Sequence, residues 1–165
     1  MDMIGLGMSS SSASADEGDR SRRRQIILGP EQFEVIFQVT HQLRNYQEER
    51  LISEGMSPHG LDLLVELLGF LRGPAESSSR VRIWVAEVSD VDPLATIALE
   101  AGSESPEGEW VAVGRLPEAV AVVWQPLLRF VVSSMGEREL FLRTGYRADE
   151  IDAAIDALVV RGESE

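Results

Sequence analysis

Carboxylates are the only side chains in this sequence numerous and clustered enough to suggest a site. Glu100, Glu104, Glu107 and Glu109 crowd into one stretch broken by Gly102, Pro106 and Gly108. Asp149, Glu150, Asp152 and Asp156 form a second group near the C-terminal end. In a chain with 28 acids, adjacent pairs such as Glu48-Glu49 or Asp149-Glu150 carry no specificity for acid–base work, which needs one carboxyl set apart from its neighbours in environment. Such clusters can instead present a negative surface to a basic partner. We take these eight acids as the candidate partner-binding residues.

Other chemistries find little footing. His41 and His59 are the only histidines, with Asn45 and Leu63 four residues further on, so neither helical face offers a metal pair. No cysteine removes thiolate nucleophiles and disulfides, and no lysine removes Schiff-base and P-loop chemistry. Gly-x-Ser-x-Gly does not occur, and Ser133-Ser134 falls in or just after an apolar helix. Gly5-Leu6-Gly7 has no strand before it, so a dinucleotide fingerprint is unsupported. We therefore expect no enzyme, no metal and no cofactor.

The stretch from Glu139 to Leu158 is patterned as a helix, a Thr144-Gly145 turn and a second helix with an acidic first turn, and it looks like the helix pair of a helix-turn-helix. A recognition helix has to meet phosphates and base edges, whereas this one offers Asp149, Glu150, Asp152 and Asp156. Residues 137 to 165 hold four arginines and eight acids. Since phosphate neutralisation is the usual source of affinity, packing or protein contact is the better use of this pair.

The elements that must position these residues follow from composition and periodicity. The 165 residues carry a net charge of −13 with 44% hydrophobic content, enough for one core and a tail. Residues 1–24 are Ser-rich and close on Arg20-Ser21-Arg22-Arg23-Arg24; too few apolar side chains are present to offset chain entropy, so we expect a disordered tail. Its short apolar run precedes the basic cluster, the reverse of a secretory signal. A single α+β domain is expected over 25–162, with 163–165 frayed, in a cytoplasmic protein.

Within 25–162, Gln25 to Leu28 reads as a short strand or a helix lead-in. Pro30 opens a helix running to about Glu54, its apolar stripe including Phe33, Ile36, Val39 and Leu43. Ser57-Pro58 caps a second helix that Gly73-Pro74 should end, the two forming a hairpin. Arg80 to Val88 has strand composition with apolar residues on both faces, the mark of a central strand. Leu94–Glu100 and Glu109–Arg115 are expected to pair as an antiparallel hairpin, completing a three-stranded antiparallel meander. A short helix over Asp92–Leu99 is the competing reading. Trp84 and Trp110 would then be candidate cross-strand neighbours.

The most apolar segment runs from Leu116 to Met135 with Pro126 inside it. A membrane span needs ~20 mainly apolar residues, and Glu118, Gln125, Pro126 and Arg129 interrupt this one. Either a single helix kinked at Pro126 or a strand over Ala119–Trp124 followed by a helix fits; we favour the kinked helix. A last helix, Asp149 to Val160, should bury Ile151, Ile155, Leu158 and Val159. The functional expectation is a non-catalytic acidic interaction module, an adaptor, chaperone or inhibitor of a basic protein partner. Self-association through the apolar segment is a further option, membrane and nucleic acid are not favoured as partners, and a helix-turn-helix regulator using residues 139–161 and the Arg-rich tail is the alternative.

Overall fold

A computed structural model describes residues 24–87, 98–101 and 110–162. The fold is α+β. In chain order the elements are β1 (Arg24–Leu28), α1 (Pro30–His41), a 3-10 turn (Gln42–Asn45), α2 (Glu48–Ser53), α3 (Pro58–Glu76), β2 (Arg80–Ala86), β3 (Ala98–Ala101), β4 (Trp110–Pro117), α4 (Glu118–Met135), α5 (Glu137–Thr144), α6 (Ala148–Asp156) and β5 (Arg161–Gly162). Arg24, assigned above to the tail, is the first residue of β1, and the segment after it is a strand.

The expected long first helix is broken. At Tyr46 the backbone turns extended (φ −102°, ψ 152°), because the ring packs on Phe130 at 5.3 Å and its hydroxyl bonds Ser134, both on α4. α3 starts as read from the sequence, with the Ser57 hydroxyl accepting from the Gly60 N–H at 3.0 Å. It does not stop at Gly73-Pro74 but runs on to Glu76. A proline forfeits only one helical donor this close to the end, and the Pro74 carbonyl is taken up by the Ser78 hydroxyl at 2.7 Å.

The three-stranded antiparallel meander is overturned. Among the described residues the sheet has five strands in the order β3-β4-β2-β1-β5, and β2 and β4 run parallel. The β3–β4 hairpin does form, with Leu99 opposite Ala112. However, β4 lies between β3 and β2, and β1 pairs antiparallel with β2 on its other side, so β2 is central as its composition implied. β4 is apolar on both faces, with Val111 and Val113 buried on one and Ala112 and Leu116 on the other; such a strand belongs inside a sheet, and the four-residue β3 takes the edge. Trp84 is paired with Arg115 and Trp110 with Ala101, so the two tryptophans are not cross-strand neighbours. The Asp92–Leu99 helix reading falls largely on residues outside those described, though Ala98 and Leu99 are in strand.

Helices cover one face of the sheet. Ile26, Leu28, Val81, Ile83, Ala112 and Leu116 point into a buried cluster that reaches from Ile26 to Leu158. At Gly114 the approach of α3 is closest: an added Cβ would lie 2.8 Å from Leu67 Cδ1 and 3.0 Å from Leu71 Cδ1. α4 is one helix through Pro126, which removes the strand-plus-helix reading, and its sharp bend comes after it, at Gly136 (φ 91°), where α5 departs at 109°. Trp124 is fully buried on α4, its indole N–H donating to Thr40 Oγ1 at 3.1 Å. No single helix among the described residues is long and apolar enough to cross a membrane. The last helix stops at Asp156, short of the expected Val160. Val159 is exposed rather than buried, because Arg161–Gly162 leaves to pair with Gln25 and Arg24 as β5.

Candidate acidic groove

Three helices converge on one concave surface. Pro30, preset for the first helical position, starts α1 there, and Gly29 N–H is held by the Gln32 side chain at 2.9 Å. That turn displays Glu31 and Glu34 one turn apart. The last turns of α3 supply Arg72 and, four residues on, Glu76. The third wall is α6, aimed by the turn before it: Gly145 closes α5 in the left-handed conformation (φ 83°), and Thr144 Oγ1 accepts from the Tyr146 N–H at 3.2 Å. Glu150 then caps α6 by accepting from the Arg147 N–H at 2.8 Å.

The groove so formed has a volume of about 740 Å³ and is lined by Glu31, Glu34, Glu76 and Glu150 above an apolar floor that includes Phe33, Val35, Ala75 and Ala154. Among the described residues Arg72 is the one cation in its wall, and it is already engaged. Its Nη2 donates to Glu34 Oε2 at 2.8 Å and its Nε to Glu34 Oε1 at 3.2 Å, while the guanidinium sits 4.5 Å from the centre of the Phe37 ring. The Tyr146 hydroxyl is held above its usual titration range, first by burial and then by the charges of Glu34 and Glu150, with Arg72 opposing. Among the described residues no three of the acids and histidines come close enough to share a metal ion, so the groove spreads its negative charge along its length.

The predicted acids of α6 divide between surroundings. Asp152 and Asp156 both pair with Arg129 of α4. Asp149 and Asp152 line a second cleft of about 710 Å³ between α5 and α6, together with Phe141 and Arg138. Glu150 alone reaches the acidic groove. Glu100 lies on the edge strand β3, opposite Val111, at the far end of the sheet order from β5, the strand α6 leads into. Glu104, Glu107 and Glu109 lie outside the described residues. His41 packs against Phe37 at 4.6 Å.

The chain matches no family model, no curated protein and no solved structure. Its function therefore has to be argued from this geometry. Sequence reasoning missed Glu31, Glu34 and Glu76, whose helical spacing was readable but whose convergence with Tyr146 and Glu150 was not.

Proposed function

We propose that this protein is a non-catalytic interaction module that docks a basic segment of a protein partner in the groove between α1, α3 and α6. One observation carries the reading: among the described residues four carboxylates line the groove, and the only guanidinium in its wall is neutralised by one of them. The charge left for a ligand is negative, and the apolar floor can take the methylene stems of arginine or lysine. Charge spread along a groove suits an extended basic peptide. The experiment is capture of partners by wild type and by Glu31→Arg/Glu76→Arg, two exposed positions, with the partner's basic segment then titrated as a peptide. Loss of capture in the variant supports the reading; unchanged capture refutes it.

A helix-turn-helix regulator is the second reading, favoured by the short α5–Gly145–α6 turn. It requires a duplex gel shift at low salt that weakens steeply as salt rises. Asp152 and Asp156 on the exposed side of α6, bound to Arg129, speak against it.

A further inference from the structure

The apolar segment 116–135, named above as an option for self-association, faces inward: Val120, Ala121, Trp124, Leu127, Leu128 and Val131 of α4 are all buried. Two neighbouring apolar side chains on α5 are left uncovered instead. Arg138, Phe141 and Leu142 stand at i, i+3 and i+4, on the side of α5 away from buried Leu140. Leu142 is 69% exposed, the most of any large apolar side chain among the described residues, and Phe141 is 46% exposed. Phe141 and Arg138 line the cleft between α5 and α6, which Glu137, Arg147, Ala148, Asp149 and Asp152 complete. Charge distinguishes this cleft from the acidic groove. Asp152 is held by Arg129, whereas Arg138, Arg147, Glu137 and Asp149 have no ion-pair partner among the described residues. Two free cations and two free acids therefore surround one exposed ring. Water solvates all four in a single chain, so leaving them apart costs little; the pattern is what matters. A patch with equal numbers of free charges of both signs can complement itself across a two-fold axis, each arginine meeting an acid of the other copy.

We propose that a second copy of this chain docks on the α5–α6 cleft, forming a two-fold dimer. Phe141 and Leu142 sit at the centre of the contact, and Glu137, Arg138, Arg147 and Asp149 form its polar rim. A charge of −13 makes two copies repel as wholes, so contact is favoured where the local charge cancels. At physiological salt the screening length is ~8 Å, which weakens the long-range repulsion more than rim pairs held in contact. A foreign basic segment fits this cleft less well, because Arg138 and Arg147 repel it; a foreign acidic one meets Glu137 and Asp149. The dimer also leaves the acidic groove accessible. The cleft uses Ala148, Asp149 and Asp152 of α6, while the groove uses Glu150, Ala153 and Ala154 on another side of the same helix.

The test is sedimentation equilibrium of the full chain at physiological salt, over protein concentrations up to ~100 µM. Wild type is expected to pass from monomer to dimer across that range. Leu142→Glu should weaken the dimer at least ~ten-fold, the loss of one leucine buried in the contact. Arg138→Glu/Arg147→Glu and Glu137→Arg/Asp149→Arg each give a rim of one sign. Each of these variants alone should stay monomeric, and the two mixed should form a heterodimer. All five positions are exposed, and thermal melting checks that every variant is folded. Glu31→Arg/Glu76→Arg keeps the dimer, which separates this inference from the reading of the acidic groove. The proposal is overturned if wild type stays monomeric throughout, if Leu142→Glu dimerises as tightly as wild type, if the mixed charge variants stay apart, or if Glu31→Arg/Glu76→Arg abolishes the dimer.

Discussion

Replacing Gly114 with alanine probes the closest contact between sheet and helices. The new Cβ would stand 2.8 Å from Leu67 Cδ1, 3.0 Å from Leu71 Cδ1 and 3.5 Å from Leu67 Cγ. Carbon atoms pack comfortably at about 3.5–4.0 Å, so both leucine ends must retreat, and both residues are fully buried on α3 with neighbours behind them. Overpacking of this kind costs about 1–3 kcal/mol. Alanine offsets part of it, since glycine within a strand is worse by about 0.5–1 kcal/mol. The expected net effect is a loss of about 1–2 kcal/mol in urea denaturation followed by tryptophan fluorescence. A double-mutant cycle with Leu67→Ala isolates the cause. Leu67→Ala alone should cost about 2–5 kcal/mol through its cavity. The alanine methyl at 114 fills part of that space, so the double variant should lose at least ~0.5 kcal/mol less than the two singles added together. Strict additivity, or a stabilised Gly114→Ala, would refute the close approach of α3 to β4.

Four further outcomes rest on packing, hydrogen bonding and charge. Gly69 sits inside α3, where a Cβ would meet nothing within 4 Å, so Gly69→Ala should raise stability by about 0.5–1 kcal/mol in the same urea assay; Gly73→Ala should gain less, because a Cβ before Pro74 crowds the proline ring. Thr40→Val keeps the shape of the side chain but strips the buried Trp124 indole of its acceptor, and a loss of about 1–3 kcal/mol is expected. Tyr146 should ionise above the usual tyrosine value of about 10 when followed by tyrosinate absorbance, and Glu34→Gln or Glu150→Gln should bring it down. Since its folded value is the raised one, its contribution to stability is complete below the unfolded value and is lost as pH rises through the folded value.

What the sequence disclosed was local. Pro30, the Ser57-Pro58 cap and the Thr144-Gly145 turn each act within one helical turn, so residue type alone announced them, and the apolar faces of α1, α3 and β2 followed from spacing. What it concealed depends on distant residues. The break at Tyr46 is imposed by Ser134, 88 positions away, and by Phe130. Two-residue β5 has no signature of its own, and a parallel β2–β4 pair cannot be told from an antiparallel one by strand composition. The acidic groove was hidden in the same way, because Glu31, Glu76 and Glu150 belong to three separate helices. Net charge was a poor guide too: a sum of −13 conceals a sheet face on which register places Arg80, Arg82, Arg115 and Arg161.

The placement of β1 also sets a timetable. It is the first strand of the sheet, yet one neighbour is β2, beginning at Arg80, and the other is β5, at Arg161. Neither pairing can form from local contacts, and loops closed over long stretches of chain delay the reward for ordering a strand. During synthesis β1 emerges long before either partner, so the helices α1 and α3 can pair first while the strand waits. Refolding should therefore be slower than the helical content alone implies, with the β1–β5 edge gaining hydrogen-exchange protection last. Ile26 and Leu28 gain their strand partners, Ile83 and Val81, only once β2 has been translated, and the Arg24–Gln25 end of β1 waits for Arg161 and Gly162.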